Sequence, residues 1–338
     1  MRNLNLSEFL QRILVCPSCK SIDLTTLEFK QNSVRCRRCH RSFPIRQIDG
    51  VKVPDFYVEF QVKNETFFWD AASEHYDDFV IKRPPPIMGK YEKWEDKILD
   101  TIIVDVLKKE EVIFLEIGSG TGRYLTRYGE RFKRGIYPFT NLLAIVGIDF
   151  SEKMLEKSIK NLENNKLKEL IGTKIFLIRA DARNLPISFK KDPSLRHVKK
   201  VVAIMFGTIG NIPTGREKVL EHLSSDLLKH NAIGVISFFN KDALLKTGIE
   251  EYNKITEVVG RPLTYFNEGI VVTQRDGRPF FYTKWFDYNE FTAQIENLNL
   301  KILKTYKGPG TKVPVWIFWK EIPRGYIIKI TVKNLERK

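Results

Sequence analysis

Apolar and polar positions along this chain repeat with two different periods. From Trp94 to Leu107, the residues Ile98, Leu99, Ile102, Ile103, Val106 and Leu107 recur at the spacing of one helix face, which predicts a helix. Short apolar runs follow, beginning at Val112, at Leu142–Ile148, Lys174–Arg179, Val201–Phe206 and Ala232–Phe239, each the length of a buried strand. Between them Leu125, Tyr128 and Phe132 share a helical face, and a further helix is expected around Val219–Leu228. Strands alternating with helices of this length build right-handed βαβ units in a mostly parallel, doubly wound sheet, with ligands at the strands' C-terminal ends. Trp285–Phe291 starts another helix. Leu300–Thr305 with Val315–Trp319 reads as the hairpin that closes the sheet, and Tyr326–Val332 alternates like one more strand.

The organisation outside that core is also legible. Residues Phe56 to Lys93 are aromatic and mixed, and Pro84-Pro85-Pro86, which lack amide donors, mark a linker or hinge. Pro262–Asp287 reads as an inserted hairpin turning at Asp276-Gly277, either a lid over an acceptor pocket or an extension of the sheet. The expected divisions are 1–55, a small cysteine-bearing module; 56–94, a linker or cap; 95–322, the α/β domain with its 262–287 insert; and 323–338, a basic tail.

Composition narrows the class. The 338 residues are 43% hydrophobic and 29% charged, a globular balance with enough chain for a full core without disulfides. No apolar run approaches the ~18 residues of a membrane-spanning helix, and Glu8 and Arg12 interrupt the first apolar stretch, so neither a membrane partner nor a signal peptide is expected and a cytoplasmic location is. Lys and Arg total 56 against 41 acidic residues, a net charge of +15. That surplus favours a polyanion such as RNA as partner; a thermophile's lysine-rich surface accounts for it as well.

All four cysteines lie near the start, as Cys16-Pro-Ser-Cys19 and Cys36-Arg-Arg-Cys39. Two C-x2-C turns at this separation each offer two thiolates, and together they close a tetrahedral four-thiolate zinc site, a zinc ribbon. His40, next in sequence, is expected at the surface. Arg35, Arg37, Arg38, Arg41 and Arg46 surround the second turn, so the ribbon is either a platform for phosphates and bases or a solvated basic face. The stretch from Leu14 to Phe56, with Phe43-Pro44-Ile45 and Asp49-Gly50-Val51 after the last cysteine, resembles the small zinc-ribbon activator of tRNA and release-factor methyltransferases, here with Gln47 and Ile48 as two extra residues before Asp49. The resemblance implies a protein-partner role alongside an RNA one.

The strand from Val112 runs into Glu116-Ile-Gly118-Ser119-Gly120-Thr121-Gly122-Arg123. Glycines at a strand-to-helix turn let the backbone approach a ligand closely. Arg123 stands where the dinucleotide fingerprint needs a small residue. The pattern instead resembles the first motif of class I S-adenosylmethionine (SAM) methyltransferases, and the resemblance extends over residues 95 to 322. It implies a seven-stranded class I methyltransferase sheet and gives roles to particular residues. Gly118, Ser119, Gly120, Thr121 and Gly122 pass close to the methionine part of SAM, and Glu116 accepts from its ammonium. Asp149, ending the second strand, accepts from the ribose hydroxyls. Asp181, followed by Ala182, takes the adenine amino group, and Phe150 and Met154 pack against the adenine. Gly207-Thr208-Ile209-Gly210-Asn211 falls where the family places its acceptor pocket, and Tyr76 resembles a tyrosine that covers SAM. As ordinary structure, Met154 would be core and Asp149 a helix cap.

Methyl transfer from a sulfonium asks mainly for alignment, so no general base is nominated. The Asn/Asp-Pro-Pro-Tyr/Phe motif of exocyclic-amine methylases is missing after the fourth strand, and the cysteines are committed to the ribbon. Three readings follow: an RNA methyltransferase gripping RNA through the ribbon, a methyltransferase for a protein or small-molecule amine with the ribbon as support, and a SAM-sensing module without transfer activity.

Overall fold

A computed structural model describes residues 6–57, 63–261, 263–266, 268–315 and 318–332. The chain forms two compact units, one of Met1–Gln61, Ile103–Ala203 and Glu217–Ile233, the other of Val62–Ile102, Ile204–Arg216 and Gly234–Lys338.

In chain order the elements are α1 (Leu6–Ile13), β1 (Leu27–Phe29), β2 (Ser33–Cys36), β3 (Ser42–Ile48), β4 (Val51–Pro54), α2 (Lys63–Tyr76) and α3 (Pro86–Leu107). Next come β5 (Val112–Ile117), α4 (Arg123–Lys133), β6 (Leu142–Asp149), α5 (Glu152–Asn164), β7 (Ile175–Arg179), β8 (Lys199–Ile204), α6 (Arg216–His222) and β9 (Ala232–Phe239). Three short helices follow, α7 (Lys241–Ala243), α8 (Ile249–Asn253) and α9 (Thr256–Val259), then β10 (Leu263–Phe266), β11 (Ile270–Arg275), β12 (Arg278–Lys284) and α10 (Tyr288–Asn297). The described chain ends with β13 (Leu300–Lys307), β14 (Gly310–Val315), β15 (Phe318–Pro323) and β16 (Gly325–Val332).

Seven strands make one sheet in the order β13-β16-β9-β8-β5-β6-β7. Within the first unit β5 pairs in parallel with both β6 and β8, and β6 in parallel with β7. In the second unit β16 runs antiparallel to both β9 and β13. Every residue of β5, β7 and β9 is buried, as continuous apolar runs covered on both faces should be. The ribbon carries its own antiparallel sheet, β1-β2-β3-β4.

Two expectations at the C-terminal end are corrected. Leu300–Lys307 pairs with Gly325–Val332, so the strand closing the sheet lies in what sequence alone reads as a tail, and the α/β domain reaches Val332. Residues 310–315 and 318–323 form a separate two-stranded ribbon between them. The charged end of the expected tail, 333–338, lies outside the described residues. The insert is three strands, β10-β11-β12, and turns at Asp276 and Gly277 with φ of 53° and 73°, as a two-residue hairpin turn requires; Pro262 lies outside the described residues. Pro84 and Pro85 lie between the helical turn Asp77–Lys82 and α3, and Pro86 opens α3, where its missing amide costs nothing.

Candidate metal centre and cofactor site

The four thiols converge. Their sulfur atoms all lie within 4.8 Å of one another, with Cys16 to Cys39 at 3.5 Å and Cys19 to Cys36 at 3.6 Å. Four sulfurs about 2.3 Å from a tetrahedral Zn2+ would stand roughly 3.8 Å apart, so the set fits that ion. Both turns are built alike: Lys20 and His40, each just after the second cysteine, take φ of 52° and 61°. The Cys39 amide donates to Cys36 Sγ at 3.5 Å. Burial pushes the Cys16 thiol up to about 12, whereas the backbone amide of Arg41 holds Cys39 down at about 7. A bound cation would resolve that conflict by favouring thiolate at all four. His40 is exposed, as expected.

The ribbon is fastened to the α/β part of its own unit. Val15 N–H donates to the carbonyl of Pro186 at 2.8 Å, and Ser188 N–H to that of Ile13 at 2.9 Å. Phe9 stacks on Phe176 of β7 with ring centroids 4.7 Å apart. Lysines clip the two in both directions, Lys20 Nζ to the Leu185 carbonyl at 3.1 Å and Lys191 Nζ to the Leu14 carbonyl at 2.7 Å. Just past β4, Asp55 forms a parallel bridge with Arg179 at the end of β7, and Phe56 N–H donates to the Arg179 carbonyl at 2.8 Å. The ribbon therefore covers the C-terminal end of the outer edge of β7, while Ile171 and Gly172 meet its start at Ile175. Asp55 also joins Arg46, so that arginine serves the docking, as Arg12 does by pairing with Asp192. Arg35, Arg37, Arg38 and Arg41 remain exposed.

Glu116, Asp149 and Asp181 end or follow adjacent strands of the first unit and are all buried. The turn after β5 is held by Gly118 and Ser119, whose amides both donate to the Ile148 carbonyl at 2.8 and 2.9 Å. Gly118, Gly120 and Gly122 have φ of 73°, 52° and 78°, a conformation that costs a side chain strain. A Cβ on Gly120 would meet nothing within 4 Å, whereas one on Gly122 would lie 2.2 Å from Ser158 Oγ. The first glycine leaves open space over the turn; the second is needed for close packing of α4 on α5. Ser119 Oγ is buried without a hydrogen-bond partner among the described residues. An open cradle, a buried unpaired hydroxyl and a carboxylate at the next strand end fit the methionine and ribose portions of SAM.

Asp149 accepts from Gly120 N–H at 2.8 Å through one oxygen and from Ser151 N–H at 2.9 Å through the other. It thus ties the glycine turn to the end of β6. The helix cap of α5 is Ser151, which accepts from Met154 N–H, so Asp149 is not spent on capping. Asp181 caps the short turn Ala182–Asn184 and forms a two-pronged ion pair with Arg183, from Nε at 2.9 Å and Nη2 at 2.6 Å. That partner was not anticipated from sequence, although an Asp-x-Arg spacing permits it. Phe150 is half-buried; Met154 is 1% exposed and sits in the core face of α5.

The second unit contains the turn expected at the acceptor pocket. Phe206 takes φ of 51° with its amide bonded to Glu95 Oε1 at 2.8 Å, and Gly207 donates to Ser237 Oγ at 3.2 Å. Arg216 holds the turn through the carbonyls of Ile209 and Ile212 at 2.9 and 2.7 Å. Beside it lies a cavity of about 50 Å³, lined among others by Trp69, Tyr76, Phe206, Asn211, Tyr252 and Phe281. Tyr252 OH accepts from Trp285 Nε1 at 3.0 Å, which leaves the wall almost wholly apolar. Tyr76 belongs to this cavity.

Strand order, the antiparallel closing strand, the glycine turn after β5 and the acidic residues after β6 and β7 together define the class I SAM-dependent methyltransferase fold, with a zinc ribbon at the N-terminal side. Residues 8–47 match the Trm112p-like protein family model. No curated protein matches the chain in sequence. Among solved structures, the chain is similar to a SAM-dependent methyltransferase from Clostridium acetobutylicum (14% identity, 77% of this chain and 97% of that one, TM-score 0.46). It is similar also to one from Methanosarcina mazei (15%, 69% and 97%, 0.45) and one from Anabaena variabilis (14%, 81% and 96%, 0.45). No helix among the described residues is long and apolar enough to cross a membrane.

Proposed function

We propose that this chain transfers a methyl group from SAM to a small acceptor whose reacting group sits on an apolar or aromatic body, and that its zinc ribbon is a built-in support for the methyltransferase sheet. When bound, SAM supplies an activated methyl on sulfur, so the protein's task is alignment. The Gly118–Gly122 turn and Asp149 hold the methionine and ribose parts, Glu116 accepts from the ammonium, and Asp181 with Ala182 and Phe150 receives the adenine. The observation that carries the choice of acceptor is the cavity beside Asn211, where aromatic rings outnumber polar groups. A nucleobase read by hydrogen bonds needs several polar partners in its pocket.

A second reading, transfer to RNA, is favoured by one observation: Arg35, Arg37, Arg38 and Arg41 stand exposed on the ribbon of a chain with net charge +15. The separating experiment supplies methyl-labelled SAM to zinc-replete protein with a desalted extract of its source, and follows label into RNA, protein and small molecules. Label in the small-molecule fraction that survives ribonuclease supports the first reading. Label lost only with ribonuclease replaces it with the second.

A further inference from the structure

Tyr57 is the second residue beyond Asp55, where the ribbon leaves β7, and its sequence surroundings mark it for no chemistry. Its position does. Tyr57 N–H donates to Asp55 Oδ1 at 2.9 Å, which fixes the backbone there. The ring lies 6.3 Å from that of Phe150, with planes 29° apart, and the Arg179 guanidinium stands over the Tyr57 ring at 4.8 Å from its centroid. Arg179 is itself immobilised, by Asp55 at 2.8 Å and by donating Nε–H to the Phe150 carbonyl at 3.0 Å. Three chain segments, the ends of β4, β6 and β7, thus hold two aromatic rings in a fixed relation.

Tyr57 and Phe150 are both half-buried rather than sealed in the core. Phe150 directly follows Asp149. Partly exposed aromatic rings beside a carboxylate suited to ribose hydroxyls are a surface on which a purine stacks. We infer that Tyr57 is a cofactor-binding residue, its ring forming with Phe150 the wall that packs against the adenine of SAM, so that the ribbon supplies part of the cofactor site. This rests on the reading of Asp149 and Phe150 as the adenosine site given above.

The test is calorimetric titration of the zinc-replete full chain with SAM and with 5′-methylthioadenosine, which keeps the adenosine but lacks the amino-acid part. Tyr57→Phe should bind both within about twofold of the unaltered chain, because the ring and not the hydroxyl is at work. Tyr57→Ala should weaken both by the same factor, about tenfold for a lost aromatic stack, with zinc content and thermal midpoint unchanged. A role in packing alone would lower the midpoint and leave affinity alone. Should the alanine variant unfold, Tyr57→Leu carries the test by keeping apolar bulk without a ring, and wild-type affinity there overturns the inference. Unchanged affinity in a folded Tyr57→Ala overturns it too, while the SAM reading stands. Absence of SAM binding by the unaltered chain overturns both.

Discussion

Asp55 and Arg179 are 124 residues apart in sequence, yet Arg179 Nη1 donates to Asp55 Oδ2 at 2.8 Å, with both side chains at or below 10% exposure. One belongs to the end of the ribbon, the other to the strand it covers. The pair therefore converts a separate zinc module into part of the sheet's edge.

Removing one partner leaves the other buried and uncompensated. Asp55→Ala is expected to lower unfolding free energy by about 3 kcal/mol, read from urea denaturation. Replacing both residues with apolar ones, Asp55→Leu with Arg179→Met, should cost less than Asp55→Ala alone. A double variant as unstable as the sum of its parts would show that the two act independently.

Zinc removal should act through the same edge. Without the cation the four cysteines lose the centre they share and the ribbon its fixed shape, so the C-terminal end of the β7 edge is uncovered. Cys36→Ser is expected to purify without stoichiometric zinc and to aggregate at concentrations where the unaltered chain stays dispersed. Metal analysis and light scattering check both halves. A monodisperse, zinc-free Cys36→Ser protein would refute a supporting role for the ribbon.

The glycine turn permits a sharper test of packing. Gly122→Ala places a Cβ against Ser158 Oγ in a backbone conformation that alanine resists, and should destabilise by about 2 kcal/mol or more. Adding Ser158→Ala removes the overlapping oxygen and should recover part of the loss, leaving the backbone strain. No recovery in thermal unfolding would mean that the clash is not the cause.

Burial lowers Lys191 and Lys200 from an ordinary 10.5 to about 8. The unfolded chain then binds more protons between about pH 8 and 10.5, and stability from these groups rises with pH across that window, with a constant cost below it. Lys200 is fully buried, its ammonium donating to the carbonyls of Leu195 and His230. Lys200→Met should flatten part of the rise, measured as unfolding free energy at pH 7.5 and 9.5. A slope that the substitution leaves unchanged would contradict this assignment.

At the cavity, Val259→Phe fills space with an added ring. Transfer to a small acceptor should fall at least tenfold while SAM affinity stays within twofold. Equal loss of both would place the cavity outside acceptor binding.

Much of this was legible in the chain. The strand from Leu142 to Asp149 coincides with its apolar run, and the four cysteines converge as their spacing requires. What escaped depended on long-range partners. Arg324 is 1% exposed and paired with Glu251 at 2.9 Å, but a basic residue near the end of a chain reads as surface. The closing strand was displaced because Val315–Trp319 is as apolar as Tyr326–Val332, and pairing with Leu300–Lys307 decides between them. The role of Asp55 is invisible without its partner on β7, and the Arg183 clamp on Asp181 emerges only when their turn is built.

The most direct test of the account is SAM binding by the zinc-replete chain, compared with Asp149→Asn in the same calorimetric titration. The account predicts one SAM per chain, and a loss of about thirtyfold or more on replacing a charged acceptor of two hydroxyl groups, with the fold unchanged by circular dichroism. No binding by the unaltered chain, or equal affinity in Asp149→Asn, would contradict it.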